Sequence, residues 1–236
     1  MKRLIPILLL IFFAQMLIGC TDDDFPRYLT DVEPVRSESL SLRGKGTGFI
    51  VSQNYILTAG HVIDPCKKVT VTKDSQQIES RALAVSKMTD LGLLTTKRYF
   101  RDVAKFRRQH ISTGKTILKY GYSAEEPTGG WTKGSITSQW GINYGRRSDI
   151  NLLQYDAPTF GGNSGGPILD QSGHVVGIVV SSSGPTLSNA VNSDVAEFFL
   201  STNFVMYEEG DSTQDLNLHD VARQAKDFTV LVECWQ

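Results

Sequence analysis

The sequence lacks an excess of charge of either sign. Its 24 lysines and arginines stand against 25 aspartates and glutamates, for a net charge of −1 at pH 7. This balance does not indicate a nucleic-acid-binding surface. The chain also lacks the spacing of cysteine, histidine and acidic residues that binds metals, and the glycine-rich loop that binds phosphates. We therefore predict no metal, no other cofactor and no nucleic-acid partner.

Long apolar runs are absent apart from one near the N-terminus. Residues 4–18 follow Lys2 and Arg3, are predominantly apolar, and end just before Gly19 and Cys20. At about 15 residues, this run is shorter than the roughly 20 that a membrane-spanning helix needs. A basic start before a short apolar segment is typical of an export signal. A membrane anchor is the alternative.

The end of this run, Leu17-Ile18-Gly19-Cys20, resembles the bacterial lipobox. The resemblance implies that residues 1–19 are a lipoprotein signal peptide and that lipidated Cys20 becomes the first mature residue. It also implies a location in the bacterial cell envelope, with the chain anchored to the membrane by lipid and facing the periplasm or the exterior. A plain signal peptide remains the alternative. Residues 20–40, which are polar, are predicted to be a tether.

Cysteine is scarce, with three residues in the chain. If Cys20 carries lipid, Cys66 and Cys234 remain as an even pair. Such a pair in an exported protein indicates a disulfide. This bond would connect the C-terminal tail to the neighbourhood of His61. Two separate free thiols are the alternative.

The pattern of the remaining chain favours strands over long helices. Apolar runs are short and rich in β-branched residues, and 21 glycines punctuate the chain. Residues 46–51 and 55–58 are predicted to form a hairpin around Gln53-Asn54. Regularly spaced short strands of this kind are typical of β-barrels and sandwiches. Other predicted elements are a helix over 194–202 with Ser193 as its N-cap, a helix over 218–225 and a strand over 228–232.

The run Gly161-Gly162-Asn163-Ser164-Gly165-Gly166-Pro167 is typical of a nucleophile loop. A serine hydroxyl needs a base to take its proton during attack, and His61 is the candidate. The histidine needs a partner that fixes its tautomer, and Asp90 suits this role. If the loop curls tightly, the backbone N–H groups of Gly162 and Ser164 would form an oxyanion hole.

Each of these residues also has an ordinary structural interpretation. A serine flanked by glycines is common in ordinary turns. A lone histidine such as His61 is often a hydrogen-bonded core residue, and an aspartate such as Asp90 often caps the start of a strand. The order His61, Asp90, Ser164, with each at the end of a strand-like segment, favours the catalytic interpretation. The remaining histidines are predicted to be surface residues; they are His110, His174 and His219.

The three motifs resemble those of trypsin-like serine peptidases. Gly46-Thr47-Gly48-Phe49 through His61-Val62-Ile63, Thr89-Asp90-Leu91-Gly92-Leu93-Leu94 and Gly162-Asn163-Ser164-Gly165-Gly166-Pro167 are similar to bacterial Deg-type proteases. Residues 154–165 are also similar to glutamyl endopeptidases. The resemblance implies an all-β protease domain over residues 41–203, built from two six-stranded antiparallel β-barrels. His61 and Asp90 would come from the first barrel and Ser164 from the second. We expect the tail, residues 204–236, to pack on that domain.

Departures from these families bear on the substrate. About 33 residues follow the predicted protease domain, too few for the PDZ domains of Deg-type proteases. The strand Gly177-Ile178-Val179-Val180 lacks the histidine with which glutamyl endopeptidases hold an acidic side chain. Gly166 also stands where those enzymes have a serine. Glutamate specificity is therefore not predicted.

The resemblance further implies a primary specificity pocket. Pro158, six residues before Ser164, corresponds to the base of that pocket and offers no carboxylate to a lysine or arginine. Thr159 matches a threonine of the glutamate pocket, and Val180 and Ala190 are expected at its walls. We predict a preference for a small or medium apolar residue before the scissile bond.

These observations predict an exported, lipid-anchored serine endopeptidase. It would hydrolyse peptide bonds in protein or peptide substrates through a Ser-His-Asp acyl-enzyme mechanism. The alternative is a binding module of the cell envelope that keeps the protease fold with little or no turnover. A structural envelope lipoprotein would leave the three motifs unexplained.

Overall fold

Strands make up most of the part of the chain that the computed structural model describes, residues 39–124, 126–144, 147–211 and 213–236. Short runs rich in β-branched and aromatic residues form these strands. In chain order the elements are β1 (Leu42–Ser52), β2 (Tyr55–Ala59), α1 (Gly60–Ile63), β3 (Lys68–Lys73), β4 (Gln76–Ser86), β5 (Leu91–Thr96), β6 (Lys105–Arg107), β7 (Thr116–Gly121), β8 (Gly130–Tyr144), β9 (Arg147–Tyr155), β10 (Pro167–Asp170), β11 (Val175–Ser182), β12 (Ser188–Asn192), α2 (Ser193–Thr202), β13 (Glu208–Gly210), α3 (Leu218–Phe228) and β14 (Thr229–Trp235).

Six strands close the first barrel in the order β1-β14-β3-β4-β5-β2, and all neighbours are antiparallel. A turn at Gln53-Asn54 joins β1 to β2, as the sequence predicts. The barrel interior holds fully buried apolar side chains, among them Ile50, Ile56 and Leu94, which lie opposite one another on β1, β2 and β5. Burial of one such side chain contributes about 2 kcal/mol to stability. The packed interior therefore gives the strand ends, which carry the site, a rigid support.

The second barrel follows the order β10-β7-β8-β9-β12-β11 and is closed by the pairing of β10 with β11. These six strands are antiparallel. β6 and β13 extend the sheet outward from β11 through parallel pairings. Ile117, Leu153, Ile168 and Val179 fill the interior. Two six-stranded antiparallel barrels confirm the predicted fold class.

The C-terminal tail supplies a strand of the first barrel. β14 lies between β1 and β3, with Gly48 opposite Val230 and Val71 opposite Val232. The predicted boundary after residue 203 therefore falls between strands of one barrel. α3 precedes β14 and begins at the N-cap Asn217, whose side chain accepts a hydrogen bond from the backbone of residue 219. The predicted helix over 218–225 and strand over 228–232 correspond to α3 and β14.

A disulfide joins Cys66 to Cys234, with the two Cα atoms 5.3 Å apart. Cys66 lies shortly after α1, and Cys234 lies near the end of β14. The bond therefore fastens the C-terminal strand beside the helix that carries His61. The predicted signal segment with Cys20, and residues 20–38 of the predicted tether, lie outside the described residues. Among the described helices, none has the length and apolar character needed to cross a membrane.

Candidate active site

Strand pairing places His61 beside Asp90. β2 pairs with β5 so that Ala59 lies opposite Leu91, which sets the start of α1 against the residue before β5. His61 Nδ1 lies 2.7 Å from Asp90 Oδ2, and the His61 backbone N–H donates to Asp90 Oδ1 at 2.9 Å. The Gly60 N–H donates to the Asp90 carbonyl at 2.8 Å. Asp90 thus fixes both the ring of His61 and the helix turn that carries it.

Asp90 adopts a left-handed backbone conformation, with φ of 53°. This conformation costs most residues about 1 kcal/mol, although aspartate tolerates it better than most. It turns the carboxylate back toward α1. Glycine suits position 60, because a Cβ there would lie 3.2 Å from Asp90 Oδ1. The local sequence therefore permits the close approach that orients the histidine.

The contact with Asp90 fixes the chemistry of the imidazole. Since a carboxylate accepts hydrogen bonds and does not donate them, Nδ1 carries the proton and Nε2 keeps a lone pair. The hydrogen bond that His61 donates to Asp90 raises the pKa of His61 above 6.5, against the smaller opposing effect of burial. The pair stabilises the fold most below pH 6.5, and this contribution is lost as pH rises through the raised pKa. The neutral ring that can act as a base predominates above that pKa.

Ser164 lies in a tight loop between β9 and β10. The Asn163 N–H donates to the carbonyl of Phe160, and the Gly166 N–H donates to the carbonyl of Asn163. Gly162 has φ of 101° and Gly165 has φ of 85°, angles that favour glycine. Within the described residues, the N–H groups of Gly162 and Ser164 donate to no protein acceptor. Two unengaged donors therefore flank Asn163, as an oxyanion hole requires.

Thr47, on β1 of the first barrel, holds this loop from the opposite side. Its N–H donates to the carbonyl of Ser164 at 2.8 Å, and its hydroxyl donates to the carbonyl of Gly162 at 2.7 Å. The hydroxyl also accepts a hydrogen bond from the Tyr122 N–H at 2.9 Å. The sequence motif that contains Thr47 does not by itself indicate this role. Because its N–H and hydroxyl donate to two carbonyls of the loop, Thr47 connects the first barrel to the loop that carries Ser164.

Close packing of glycines brings the serine and histidine sides together. A Cβ on Gly165 would lie 2.6 Å from the Ala59 backbone nitrogen, two residues before His61. A Cβ on Gly46 would lie 2.6 Å from Val62 and 3.2 Å from the Ser164 carbonyl oxygen. Real side chains do not fit at either position. The junction between the barrels thus carries His61, Asp90 and Ser164 on adjoining segments.

A buried lysine lies beneath the nucleophile loop. Lys119 on β7 is fully buried, and its Nζ donates to Asn163 Oδ1 at 2.7 Å and to the Pro158 carbonyl at 2.6 Å. Asn163 is also fully buried. Neither the Lys119 contacts nor the burial of Asn163 was predicted from the sequence. The one available signal was a charged residue inside the apolar run Thr116-Ile117-Leu118-Lys119-Tyr120.

The residues predicted for the specificity pocket lie in different settings. Pro158 and Thr159 are partly buried and precede the loop, with the Thr159 hydroxyl 2.8 Å from the Tyr155 hydroxyl. Val180 is partly buried on β11. Ala190 is fully buried in the core of the second barrel, opposite Val179 in the β11–β12 ladder. The structure therefore places Ala190 in the barrel interior, behind the strand surface.

One histidine prediction is wrong. His174 is 7% exposed, packed against Gly210 and near Asp170, instead of lying on the surface. It follows the turn after β10, where the parallel addition of β6 and β13 covers it. Among the described residues, no cluster of three or more histidine, cysteine or acidic side chains could hold a metal ion.

The sequence matches a peptidase family and is similar to longer curated proteins. Residues 46–178 match the model of the trypsin-like peptidase domain. A probable periplasmic serine endoprotease, DegP-like, of Brucella suis is 31% identical over 139 residues, covering 57% of this chain and 27% of that protein. An uncharacterized protein of Sinorhizobium fredii, y4bJ, is 29% identical over 220 residues, covering 85% of this chain and 34% of that protein. The chain thus spans about a third or less of the length of these curated relatives.

Two solved structures are similar in fold. The serine endoprotease from Yersinia pestis gives a TM-score of 0.62 at 27% identity, covering 70% of this chain and 59% of that one. The active form of the Rv3671c protease from M. tuberculosis gives a TM-score of 0.62 at 20% identity, covering 70% of this chain and 76% of that one. The second similarity concerns the fold alone.

Proposed function

Since the chain belongs to the family of trypsin-like peptidase domains, we propose that it is a serine endopeptidase with His61, Asp90 and Ser164 as its catalytic triad. The observation that carries the proposal is the 2.7 Å contact between His61 Nδ1 and Asp90 Oδ2. This contact leaves His61 Nε2 free to act as a base. His61 lies at the junction between the barrels, where the residues next to Ser164 also pack. The relatives named as serine endoproteases support the same activity.

In the proposed mechanism, Ser164 Oγ attacks the carbonyl carbon of the scissile peptide bond. His61 Nε2 takes the hydroxyl proton, and Asp90 stabilises the imidazolium that forms. The C–N bond then breaks, the proton passes from His61 to the leaving amine, and Ser164 holds the acyl group as an ester. A water molecule, deprotonated by His61, attacks this ester and releases the carboxylic acid and free serine.

The negative charge of the tetrahedral intermediate needs preorganised donors. The N–H groups of Gly162 and Ser164 are unengaged within the described chain, and Thr47 holds the carbonyls of the same two residues. Loss of one oxyanion donor typically costs about 100- to 1,000-fold in kcat. We assign both N–H groups to the oxyanion hole.

An extended substrate fits the free edge of β11. Within the described residues, 181 and 182 pair with β12 on one side, whereas the pairing of β11 with β10 ends at Ile178. The open edge can accept a peptide as an added strand. Gly162 also lines a cavity of about 520 Å³, together with Tyr122, Pro127 and Leu231 among others. The cavity is apolar enough to take substrate residues after the scissile bond.

We propose a small or medium apolar residue before the scissile bond, because Pro158 and Thr159 offer no charge to the predicted pocket. We further propose that the protein is exported and anchored through lipidated Cys20. The Brucella relative is named as periplasmic, which supports a location in the cell envelope and does not bear on the lipid anchor. A cleavage profile from a peptide library tests the first statement. Loss of membrane association and of palmitate labelling in Cys20→Ser tests the second.

The activity is tested by hydrolysis of a casein or peptide-library substrate by the purified chain. Ser164→Ala should abolish hydrolysis while leaving the thermal unfolding midpoint unchanged. Ser112→Ala, at an exposed serine before β7, is the matched control and should retain full activity. A fully active Ser164→Ala variant would refute the assignment. An inactive but folded wild type would favour the binding module.

A further inference from the structure

Residues 158–167, which include the nucleophile loop, are held by hydrogen bonds from one buried amine. Lys119 Nζ contacts the Pro158 carbonyl at the start of the loop and Asn163 Oδ1 next to the nucleophile. We infer that Lys119 is a positioning residue, which holds this loop in the form that presents Ser164 and the oxyanion donors. The inference rests on the proposed function for its catalytic consequence, and on geometry alone for its structural one.

The hydrogen bonds of Asn163 show how the amine acts through the loop. Asn163 Oδ1 accepts from Lys119 and also from the Phe160 N–H at 3.0 Å. Asn163 Nδ2 donates to the Tyr122 carbonyl at 3.0 Å. A side-chain amide with all these partners has one orientation. The backbone of Asn163 lies directly between the two proposed oxyanion donors, so its orientation sets theirs.

Burial of the Lys119 side chain is energetically unfavourable unless other interactions compensate for it. On β7, Lys119 shares a face with Ile117, which is fully buried in the core of the second barrel. A buried ammonium is costly unless hydrogen bonds replace its water. No carboxylate contacts Nζ among the described hydrogen bonds and ion pairs; its acceptors are a carbonyl and an amide oxygen. The Phe160 ring, with its centroid 5.7 Å away, adds a cation–π contact.

The charge of this amine changes within an accessible pH range. Burial lowers the pKa of Lys119 to about 8, against an opposing effect of the Glu126 carboxylate. The neighbouring tyrosines stay neutral there, because burial raises the pKa of Tyr120 to about 12 and that of Tyr122 above 10. Hydrogen bonds from a charged donor are roughly twice as strong as those from a neutral one. The hydrogen bonds from Lys119 to the loop should therefore weaken as pH rises through 8, because the amine loses its charge.

The kinetic experiment compares the wild type with Lys119→Met, which keeps length and removes the amine. We expect kcat to fall about 10- to 100-fold with KM changed less than about threefold, because the affected donors act mainly in the transition state. In the wild type, kcat should decline on the alkaline side with an apparent pKa near 8. That decline should be absent in Lys119→Met.

Lys133→Met is the matched control, because Lys133 is an exposed lysine opposite Leu118 in the adjacent strand. It should keep both kcat and the alkaline decline. An unchanged kcat in Lys119→Met, or an alkaline decline that persists there, would overturn the inference. If Lys119→Met does not fold, Lys119→Gln replaces it, and an unchanged kcat in that variant overturns the inference.

Hydrogen exchange separates this inference from the proposed function. At neutral pH, the amides of Phe160, Asn163 and Gly166 are hydrogen-bonded within the loop. They should exchange at least about tenfold faster in Lys119→Met, while the first barrel keeps its protection. Faster loop exchange in a chain that hydrolyses nothing would support the positioning role and refute the protease. Unchanged loop exchange would refute the positioning role, whatever the activity.

Discussion

Removing the Cys66–Cys234 disulfide tests how the first barrel is completed. The bond ties β14, the only C-terminal strand of that barrel among the described elements, to the segment after α1. We consider Cys66→Ala combined with Cys234→Ala, so that no free thiol remains at either position. Ser164→Ala is included in parent and variant to prevent self-digestion. The folded contacts of β14 with β1 and β3 stay available in the variant.

The expected magnitude follows from the length of chain that the bond closes. The two cysteines are separated by 168 residues in the sequence. A loop of that length corresponds to a lost chain entropy of about 17 cal/mol/K, or about 5 kcal/mol at 25 °C. Measured values usually fall below this limit, so we expect a loss of about 3–5 kcal/mol. For a domain of this size, that lowers Tm by about 6–20 °C.

The measurement is urea and thermal unfolding, followed by circular dichroism and tryptophan fluorescence. Reductant should lower the stability of the parent to that of the double variant and should not affect the variant. A loss below about 1 kcal/mol would refute the reasoning, because a bond that closes so long a loop onto a barrel strand must restrict the unfolded chain.

Two further predictions concern the site. Asp90→Asn removes the main cause of the raised pKa of His61, so the acid limb of kcat/KM should move to lower pH while kcat falls about 10⁴-fold. A pH–rate profile checks this, and an unmoved limb would contradict it. Thr47→Val should leave the Gly162 carbonyl and Tyr122 N–H unpaired, costing about 2–4 kcal/mol in unfolding free energy and lowering kcat. Thr47→Ser keeps the hydroxyl and should lose much less in both measurements.

The sequence predicted those parts of the molecule that local patterns encode. The two-residue turn at Gln53-Asn54 and the strands on either side of it follow from alternation and turn residues. His61 and Asp90 each adjoin an apolar strand, and these strands pair directly, so their contact needed only one correct pairing. The fold class followed from the resemblance of the three motifs to those of trypsin-like peptidases, since the strand pattern alone left barrels and sandwiches open.

Long-range pairing accounts for what was missed. A strand over residues 228–232 was predicted where β14 lies, but no local pattern identifies β1 and β3 as its neighbours. Thr47 acts through hydrogen bonds to residues 75 and 115 positions away, which composition cannot reveal. Ala190 was expected at a pocket wall because strand alternation alone does not say which face is the barrel interior. Lys119 was passed over since a lysine in a strand usually faces solvent.

The most direct test of the central claim is to locate the adduct of a fluorophosphonate probe on the purified chain by peptide mass spectrometry. We expect a single adduct, on Ser164. It should form faster as pH rises through the raised pKa of His61, and it should be strongly slowed in His61→Ala. A folded chain that does not react, or an adduct on any other residue, would contradict the assignment of Ser164 as the nucleophile.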